Sequence, residues 1–171
     1  MNSLLVTYIL QTEKWTSPEL FETKNRIYTF LNPVSYLIAL ENKSLFEQFD
    51  GIFADGSLLV SAIRLVYGKR VTRRSFDMTS LAPELLNYLM ESRKTLYIVA
   101  SGQEQVECSV RIFQEQYPEL RIAGFRNGYF SSDAEMNKEA SHIVELNPDF
   151  LIVGMGALMQ EKFLLKVKKM G

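Results

Sequence analysis

The segment Thr95–Gly102, TLYIVASG, contains the clearest strand of the 171-residue sequence. Its first six residues, TLYIVA, are almost wholly apolar, and Ser101-Gly102 then interrupts the run before a helical pattern begins near Glu104. A strand that is apolar throughout has both faces buried, which is typical of a parallel sheet covered by helices. This segment therefore predicts a parallel α/β fold.

The same alternation of apolar strands and helices extends to both sides of this segment. Four more strands are predicted, at Ile27–Leu31, Gly51–Ala54, Leu120–Phe125 and Asp149–Val153. Helices are predicted at 33–40, 58–67, 80–92, 104–117, 133–146 and 157–169. The N-terminal run MNSLLVTYIL is interpreted as a further strand. With no repeat or linker in the chain, we expect one Rossmann-like α/β domain over residues 1–171, a parallel sheet with helices on both faces.

Composition and charge exclude several classes of protein. The net charge is −1, from 19 basic and 20 acidic residues, whereas a general nucleic-acid-binding protein carries a clear basic excess. The sequence contains no run of about 18 apolar residues, so no transmembrane helix is predicted. The single cysteine, Cys108, allows no internal disulfide and fits a reducing compartment. Four lysines between residues 162 and 170 fit a helix end, which we favour, or a contact with an anionic membrane.

Polar and glycine residues follow the predicted strands, and ligands of open α/β sheets bind beyond the carboxyl ends of the strands. Glycine admits a ligand close to the backbone, and helix N-termini attract anions, so a phosphate or diphosphate ligand is expected. The Walker A pattern is absent, and Gly154-Met155-Gly156 lacks the third glycine of a dinucleotide loop, which disfavours a nicotinamide-dependent oxidoreductase. The polar and glycine residues that follow the predicted strands are Asn32, Asp55-Gly56, Ser101-Gly102, Asn127-Gly128 and Gly154–Gly156.

Asp55 fits two roles. Taken alone it is best interpreted as a cap in a strand-to-helix turn, where Asp-Gly is common. Its carboxylate could instead take a proton from an acceptor hydroxyl at the ligand crevice. Asp77, which precedes another predicted helix, has the same two interpretations, and Gln160 lies on the first turn of the last helix, where a solvated residue would be unremarkable.

Six segments in order resemble the WecG/TagA/CpsF family of glycosyltransferases, across roughly Arg26–Phe163. Each is weakly diagnostic alone, but their conjunction is specific and favours the catalytic interpretation of Asp55. The segments are LNP (31–33), ADG (54–56), RVTRRSFDM (70–78), YIVASG (97–102), YPELRIAGFRNGYF (117–130) and GMGALMQEK (154–162).

The resemblance implies an inverting, metal-independent transfer of an N-acetylhexosamine, such as N-acetylmannosamine, from a UDP donor to a lipid-linked saccharide, with no cofactor. Such enzymes act in teichoic acid, enterobacterial common antigen or capsule synthesis, so we expect a cytoplasmic protein at the inner face of the cell membrane. Asp55 inherits the role of general base. The expected substrate-binding residues are Asn32, Gly56, Asp77, Ser101, Gly102, Tyr129, Gly154, Gly156 and Gln160.

The sequence also departs from the family pattern. Asn127 replaces a frequent histidine, Leu158 and Met159 replace a Pro and a Lys, and Phe30 stands where a threonine is frequent. Relatives usually continue for several tens of residues with a basic, membrane-associating segment, which we expect this chain to lack. The alternative function is therefore a non-catalytic module that binds a UDP-sugar or pairs with a glycosyltransferase subunit. Apolar surface left without that segment would promote a homo-oligomer.

Overall fold

The computed structural model describes residues 4–171, and its backbone packs as two compact units. The first unit ends at Glu84 and the second is Leu85–Gly171. All described strands are parallel and are flanked by helices, so the predicted α/β class is confirmed. They form two sheets, one in each unit.

Between residues 4 and 84, the first unit contains a two-stranded parallel sheet and five complete helices, and helix α6 (Leu81–Glu91) includes the boundary between the units. Strands β1 and β2 pair in register from Tyr28–Gly51 to Leu31–Ala54. Both strands, and the helices that follow them, match the prediction to within a residue or two. The elements are α1 (Leu4–Thr12), α2 (Ser17–Glu22), β1 (Tyr28–Leu31), α3 (Pro33–Glu41), α4 (Lys43–Phe46), β2 (Gly51–Ala54) and α5 (Ser57–Tyr67).

The prediction of an N-terminal strand is wrong where the structure describes this segment, because residues Leu4–Thr12 form helix α1. The first three residues of the predicted strand, 1–3, lie outside the described residues. Leu5, Ile9 and Thr12 are buried at helical spacing against β2, and the Thr12 hydroxyl donates to the Ile52 carbonyl over 3.0 Å. A short apolar run does not distinguish strand from helix, and packing on the sheet selects the helix here.

Close packing at the start of β2 involves the only tryptophan of the chain. The Trp15 ring meets the Tyr28 ring edge-on at 6.0 Å, and the Arg26 guanidinium lies 5.2 Å from the Trp15 centroid. A Cβ atom on Gly51 would come within 2.8 Å of the Trp15 ring, so only glycine fits there.

The second unit is a three-stranded parallel sheet with β3 in the centre, in the order β4-β3-β5. Its core is a cluster of side chains from the sheet and the last two helices, including Tyr97, Val99, Met136, Ile143 and Phe163. All its strands and helices were predicted, with ends that shift by one or two residues. They are β3 (Thr95–Ala100), α7 (Gln103–Gln116), β4 (Arg121–Arg126), α8 (Asp133–Leu146), β5 (Phe150–Gly154) and α9 (Met159–Met170).

Two features of the ends of helices complete the fold. Ser132 is the N-cap of α8 and accepts from the Glu135 amide. The lysine-rich tail is the end of α9, with Lys168 and Lys169 in its last turn, as favoured from the sequence. Among residues 4–171, no helix combines the length and apolar character needed to span a membrane.

Candidate functional site

Asp55 lies directly after β2, at the carboxyl end of the two-stranded sheet. Its amide donates to the Leu31 carbonyl over 2.8 Å, which extends the ladder between β1 and β2 by one bond. Because Leu31 and Ala54 are partners in the register, the next residues on the two strands, Asn32 and Asp55, end up side by side at this edge. The rim position predicted for both residues is therefore confirmed.

The Asp55 carboxylate is held by a partner that the sequence did not reveal. Ser75 is 1% exposed, and its hydroxyl donates to Oδ1 of half-buried Asp55. The N-cap of α5 is Gly56, at φ +86°, and this helix start has no side-chain cap among the described residues. Asp55 is thus not the helix cap that its sequence context alone favoured, and its carboxylate faces the segment after α5.

The basic segment that carries Ser75 is fastened to β2. The Arg74 amide donates to the Ala54 carbonyl over 3.0 Å, and its guanidinium stands 5.6 Å from the centre of the Phe53 ring. That guanidinium also donates to the Thr12 carbonyl over 3.4 Å. This attachment fixes the Ser75 hydroxyl next to Asp55.

Asn32 and Asp77 have local structural roles. The Asn32 side-chain oxygen accepts from the Val34 and Ser35 amides and so caps α3, which leaves its amide group as the part outside the cap. Asp77 accepts from the hydroxyl and amide of Thr79 and pairs with Arg73 at 2.9 Å. The Thr79 hydrogen bonds, helped by Arg73, lower the pKa of Asp77 below its ordinary value. Their ligand-binding roles stay predictions.

In the second unit, three loops after parallel strands are tied together by their backbones. The Ser101 amide donates to the Gly154 carbonyl over 3.0 Å, and the Gly128 amide donates to the Ser101 carbonyl over 2.8 Å. A Cβ atom on Gly128 would lie 2.9 Å from Met155, so glycine permits this approach. The predicted convergence of loops on one rim is confirmed for the loops after β3, β4 and β5.

These loops line a cavity of about 570 Å³, open to solvent, at the carboxyl edge of the second sheet. Four predicted site residues line it, namely Ser101, Tyr129, Gly154 and Gly156. The remaining wall comes from the segment between β4 and α8, from the first turn of α8, and from the segment between β5 and the first residue of α9. Its residues are Gly128, Phe130, Ser131, Ser132, Asp133, Met136, Met155 and Met159.

Arg126 holds the loop that carries Tyr129 and Phe130. Its guanidinium lies 4.0 Å from the centre of the Phe130 ring, and Nη2 donates to the Tyr129 carbonyl over 2.9 Å. Nη2 also pairs with Glu135 at 3.0 Å, although the Arg126 side chain is only 17% exposed. The Ser131 amide and hydroxyl, followed by Arg126, lower the pKa of Glu135 to about 2. Only the position of Arg126 inside a matched motif hinted at this role.

The loop before α9 is organised by a fully buried carboxylate. Glu161 is 0% exposed, and it accepts from the Leu158 amide over 2.7 Å and from the Gln160 side-chain amide over 3.0 Å. Leu158 has φ +72°, a left-handed conformation that costs energy for a residue with a branched side chain. Glu161 thus holds both a strained backbone and the predicted site residue Gln160, which does not line the cavity.

The arrangement in the second unit suits an anion. Gly102 begins α7, and its helix start has no side-chain cap among the described residues, so the first-turn amides remain able to bind an anion. Residues 4–171 contain no group of three or more His, Cys, Asp or Glu side chains placed to hold a metal ion.

The predicted site residues therefore fall into two groups. Asn32, Asp55, Gly56 and Asp77 lie in the first unit, while Ser101, Gly102, Tyr129, Gly154, Gly156 and Gln160 lie in the second. The residues predicted to follow strands lie just beyond the carboxyl ends of those strands, while Asp77 and Gln160 lie before or in the first turn of a helix, as predicted.

Comparison with known proteins gives a consistent result. A family model described as Glycosyl transferase WecG/TagA/CpsF family matches residues 9–170. The chain is 31% identical over 142 residues to the UDP-Gal:alpha-D-GlcNAc-diphosphoundecaprenol beta-1,4-galactosyltransferase of Shigella boydii, which covers 83% of this chain and 59% of that protein. It is 24% identical over 168 residues to the N-acetylglucosaminyldiphosphoundecaprenol N-acetyl-beta-D-mannosaminyltransferase of Bacillus subtilis (strain 168), covering 96% of this chain and 62% of that protein. The chain thus spans about three fifths of the length of these relatives.

Proposed function

Because the chain belongs to the WecG/TagA/CpsF glycosyltransferase family, we propose that it takes part in moving a hexose unit from a UDP donor to a lipid-linked saccharide. The two relatives named above act, by their names, on GlcNAc linked to diphosphoundecaprenol. A lipid-linked GlcNAc is accordingly the acceptor we propose. The product would belong to a cell-envelope polysaccharide, and the protein would work as a peripheral protein at the inner membrane face.

The observation that carries this proposal is the Asp55–Ser75 pair at the end of β2. A base for acceptor activation needs a carboxylate that is oriented but not neutralised by a cation. A neutral hydroxyl orients the Asp55 carboxylate, and no ion pair to Asp55 occurs among residues 4–171. That environment suits a proton acceptor better than a structural ion pair.

The proposed chemistry is a single displacement. The acceptor oxygen attacks the anomeric carbon of the donor, its proton passes to the Asp55 carboxylate, and the bond from the anomeric carbon to the UDP oxygen breaks. The departing UDP takes the electron pair of that bond, and the configuration at the anomeric carbon inverts. The sugar passes through an oxocarbenium-like transition state, as in other glycosyl transfers.

The cavity of the second unit is the proposed site for the UDP diphosphate. Ser101 in its wall directly precedes Gly102, the N-cap of α7, and the amides at the start of that helix are not capped by a side chain. Such main-chain N–H groups bind developing negative charge. Ser101, Gly154 and Gly156 bring backbone close to this space, and Tyr129 offers a 75% exposed ring for stacking on a uracil base. Gly56, Asn32, Asp77, Gly102 and Gln160 remain proposed substrate contacts.

Two donor sugars are proposed. The sequence resemblance favours N-acetylmannosamine, and two of the relatives are named for that transfer. The 31% identical relative is named for galactose transfer, so UDP-galactose is the second candidate. Parallel assays with the two donors and one GlcNAc-diphospholipid acceptor would decide between them.

The test of the function is UDP release with the lipid acceptor, together with UDP binding by calorimetry. We expect Asp55→Asn to reduce turnover by at least about a hundredfold while UDP still binds, because general-base catalysis contributes about 10²–10⁴-fold. Asp50→Asn is the matched control, since Asp50 flanks β2 at the opposite end and should change turnover little.

Full turnover by Asp55→Asn would refute the base role. UDP binding without turnover by the unsubstituted chain would support the alternative of a non-catalytic UDP-sugar-binding module. Failure to bind UDP at all would overturn both proposals.

A further inference from the structure

Helix α5 is apolar on two adjoining sides. Leu59 and Ile63 are buried, at 4% and 1% exposure, on the side that packs in the first unit. On the other side Leu58, Leu65 and Val66 are 69%, 87% and 69% exposed. Ser57, Ser61 and Arg64 are exposed on the side away from the buried residues, as is normal for a surface helix, and the exposed apolar side chains are additional to that pattern.

The exposed apolar side chains share one stripe. Leu58, Ala62 and Leu65 follow each other at spacings of four and three residues, which places them one above the other on a helix, and Val66 adjoins them. These four residues are called the outer face of α5. From Leu58 to Val66 the stripe extends about 12 Å along the helix, at 1.5 Å per residue.

Cations border this outer face. Arg64 lies on α5 beside the stripe, and Lys69 and Arg70 follow directly after the Gly68 cap. All three are exposed, and none forms an ion pair with any residue from 4 to 171. The sequence has no Asp or Glu between Gly56 and Phe76, so no acid within this stretch offsets their charge.

We propose that the outer face of α5 docks on an anionic lipid bilayer. In this arrangement Leu58, Leu65 and Val66 enter the boundary between headgroups and acyl chains, while Arg64, Lys69 and Arg70 contact lipid phosphates. A helix with an apolar stripe and bordering cations lies in the plane of such an interface. Each cation near an anionic surface adds to the attraction.

The charges favour a lipid surface over a second copy of the chain. In a two-fold symmetric dimer the same patch meets itself, so cations that border the stripe on one copy would approach those on the other. An anionic bilayer instead attracts every one of them. The lipid surface is therefore the occupant whose charge complements the patch.

This inference deepens the proposed function. It rests on that function only for the reason why the helix would dock on a membrane, not for the docking itself. Asp55 lies two residues before the first residue of α5. Docking of this helix would therefore bring the proposed base to the membrane surface. Acceptors of the kind named for the relatives carry a polyisoprenyl lipid that would be found there.

The test is sedimentation of the full chain with vesicles of equal parts phosphatidylglycerol and phosphatidylcholine, compared with vesicles of phosphatidylcholine alone. We expect binding to the anionic vesicles only. The double variant Leu58→Gln/Leu65→Gln should weaken binding at least about tenfold, because it removes two apolar anchors. The triple variant Arg64→Gln/Lys69→Gln/Arg70→Gln should weaken it about a hundredfold, at about fivefold per cation.

The matched control is Val34→Gln/Leu37→Gln on α3, which changes two apolar residues of similar exposure, 68% and 62%, in the same unit. It should bind within about twofold of the unsubstituted chain. A measurement that needs no variant is salt dependence: raising salt from about 0.1 M to about 1 M shortens the screening length from about 10 Å to about 3 Å and should release the chain.

Three results would overturn the inference: no binding to anionic vesicles, undiminished binding by Leu58→Gln/Leu65→Gln, or an equal loss in the α3 control. A dimer in sedimentation equilibrium that Leu58→Gln/Leu65→Gln dissociates, without vesicle binding, would assign the face to a second copy instead. Vesicle binding is measured without any glycosyl transfer, and UDP release is measured with a detergent-dispersed acceptor in the absence of vesicles. Failure of one proposal therefore leaves the other measurable.

Discussion

Ser75 is the residue whose contact most directly fixes the orientation of Asp55. It is buried, and its hydroxyl donates to the Asp55 carboxylate. We expect Ser75→Ala to lower the free energy of unfolding by about 1–3 kcal/mol, because a hydrogen bond to a charged, partly buried group is lost. Urea unfolding monitored by circular dichroism measures this change.

The control for Ser75→Ala is Ser61→Ala, at an exposed position of α5, which should leave stability within about 0.5 kcal/mol. If both variants unfold at the same urea concentration as the unsubstituted chain, the contact has no energetic weight. In that case Ser75 would not be the residue that orients the base.

The place of Asp55 was predictable, but its partner was not. A polar residue directly after an apolar strand lies at the carboxyl edge of a parallel sheet, which follows from periodicity alone. Ser75 lies 20 residues further on, in a segment with no regular structure, and no periodicity relates such a segment to a strand end. Its contact depends on how Arg74 attaches the segment to Ala54.

Glu161 gives a second prediction at this scale. Glu161→Gln keeps the shape of the side chain but replaces an acceptor oxygen with an amide donor, which then faces the donors Leu158 N–H or Gln160 Nε2. We expect a loss of about 1–3 kcal/mol in the free energy of unfolding, since a fully buried group is left unsatisfied.

Urea unfolding measures the loss, and amide hydrogen exchange at Leu158 should become faster. The control is Glu104→Gln, which changes an exposed glutamate in the first turn of α7. A Glu161→Gln protein as stable as this control, with unchanged exchange at Leu158, would contradict the positioning role of Glu161.

Among the elements, the loop between β4 and α8 should confer a pH dependence on stability. Glu135 has a pKa of about 2, lowered from 4.5 chiefly by the Ser131 amide and hydroxyl, with Arg126 also contributing. Because the folded pKa lies below the unfolded one, this stabilisation is complete above about pH 5 and is lost as pH falls toward 2. The urea midpoint of the unsubstituted chain should therefore fall more steeply over this range than that of Glu135→Gln.

A matched control is Glu145→Gln, an exposed glutamate on the same helix. Its midpoint should follow the unsubstituted chain from pH 5 downward. Parallel pH profiles for Glu135→Gln and the unsubstituted chain would show that the Ser131 and Arg126 contacts do not persist in solution.

The elements themselves were predictable where pattern and length agreed. Both ends of the strand Thr95–Ala100 were predicted correctly, because a short apolar run between turn signals is typical of a buried strand. Helix α1 was assigned to the wrong class, since a short apolar run fits both periods. Helix α2 was missed although Thr16 and Glu19 form a capping box three residues apart, a signal the sequence did contain.

For the whole molecule, the parallel α/β class could be predicted from apolar strands that alternate with helices. The division of the five strands between two sheets could not be predicted in this way. Pairing depends on which strands meet in space, and the apolar pattern of a single strand does not specify its neighbours. The sequence therefore predicted one sheet over residues 1–171, and the structure has β1-β2 in one unit and β4-β3-β5 in the other.

The division predicts that the second unit folds alone. A fragment of residues 80–171, which keeps all of α6, should unfold cooperatively in urea, because it contains the core cluster around Val99, Met136 and Phe163. Met136→Ala should lower the free energy of unfolding by about 2–5 kcal/mol in the fragment and by a similar amount in the whole chain. A gradual, non-cooperative unfolding of the fragment would show that the second unit depends on the first.

The packing of Trp15 against Tyr28 and Arg26 has a spectroscopic consequence. The chain has one tryptophan and one cysteine, with Trp15 in the first unit and half-buried Cys108 on α7 in the second. Indole emission therefore reports on the first unit alone, and a thiol-reactive acceptor dye would label the second unit at a single place. Each unit can therefore be monitored separately when UDP or a bilayer is added, without any engineered label site.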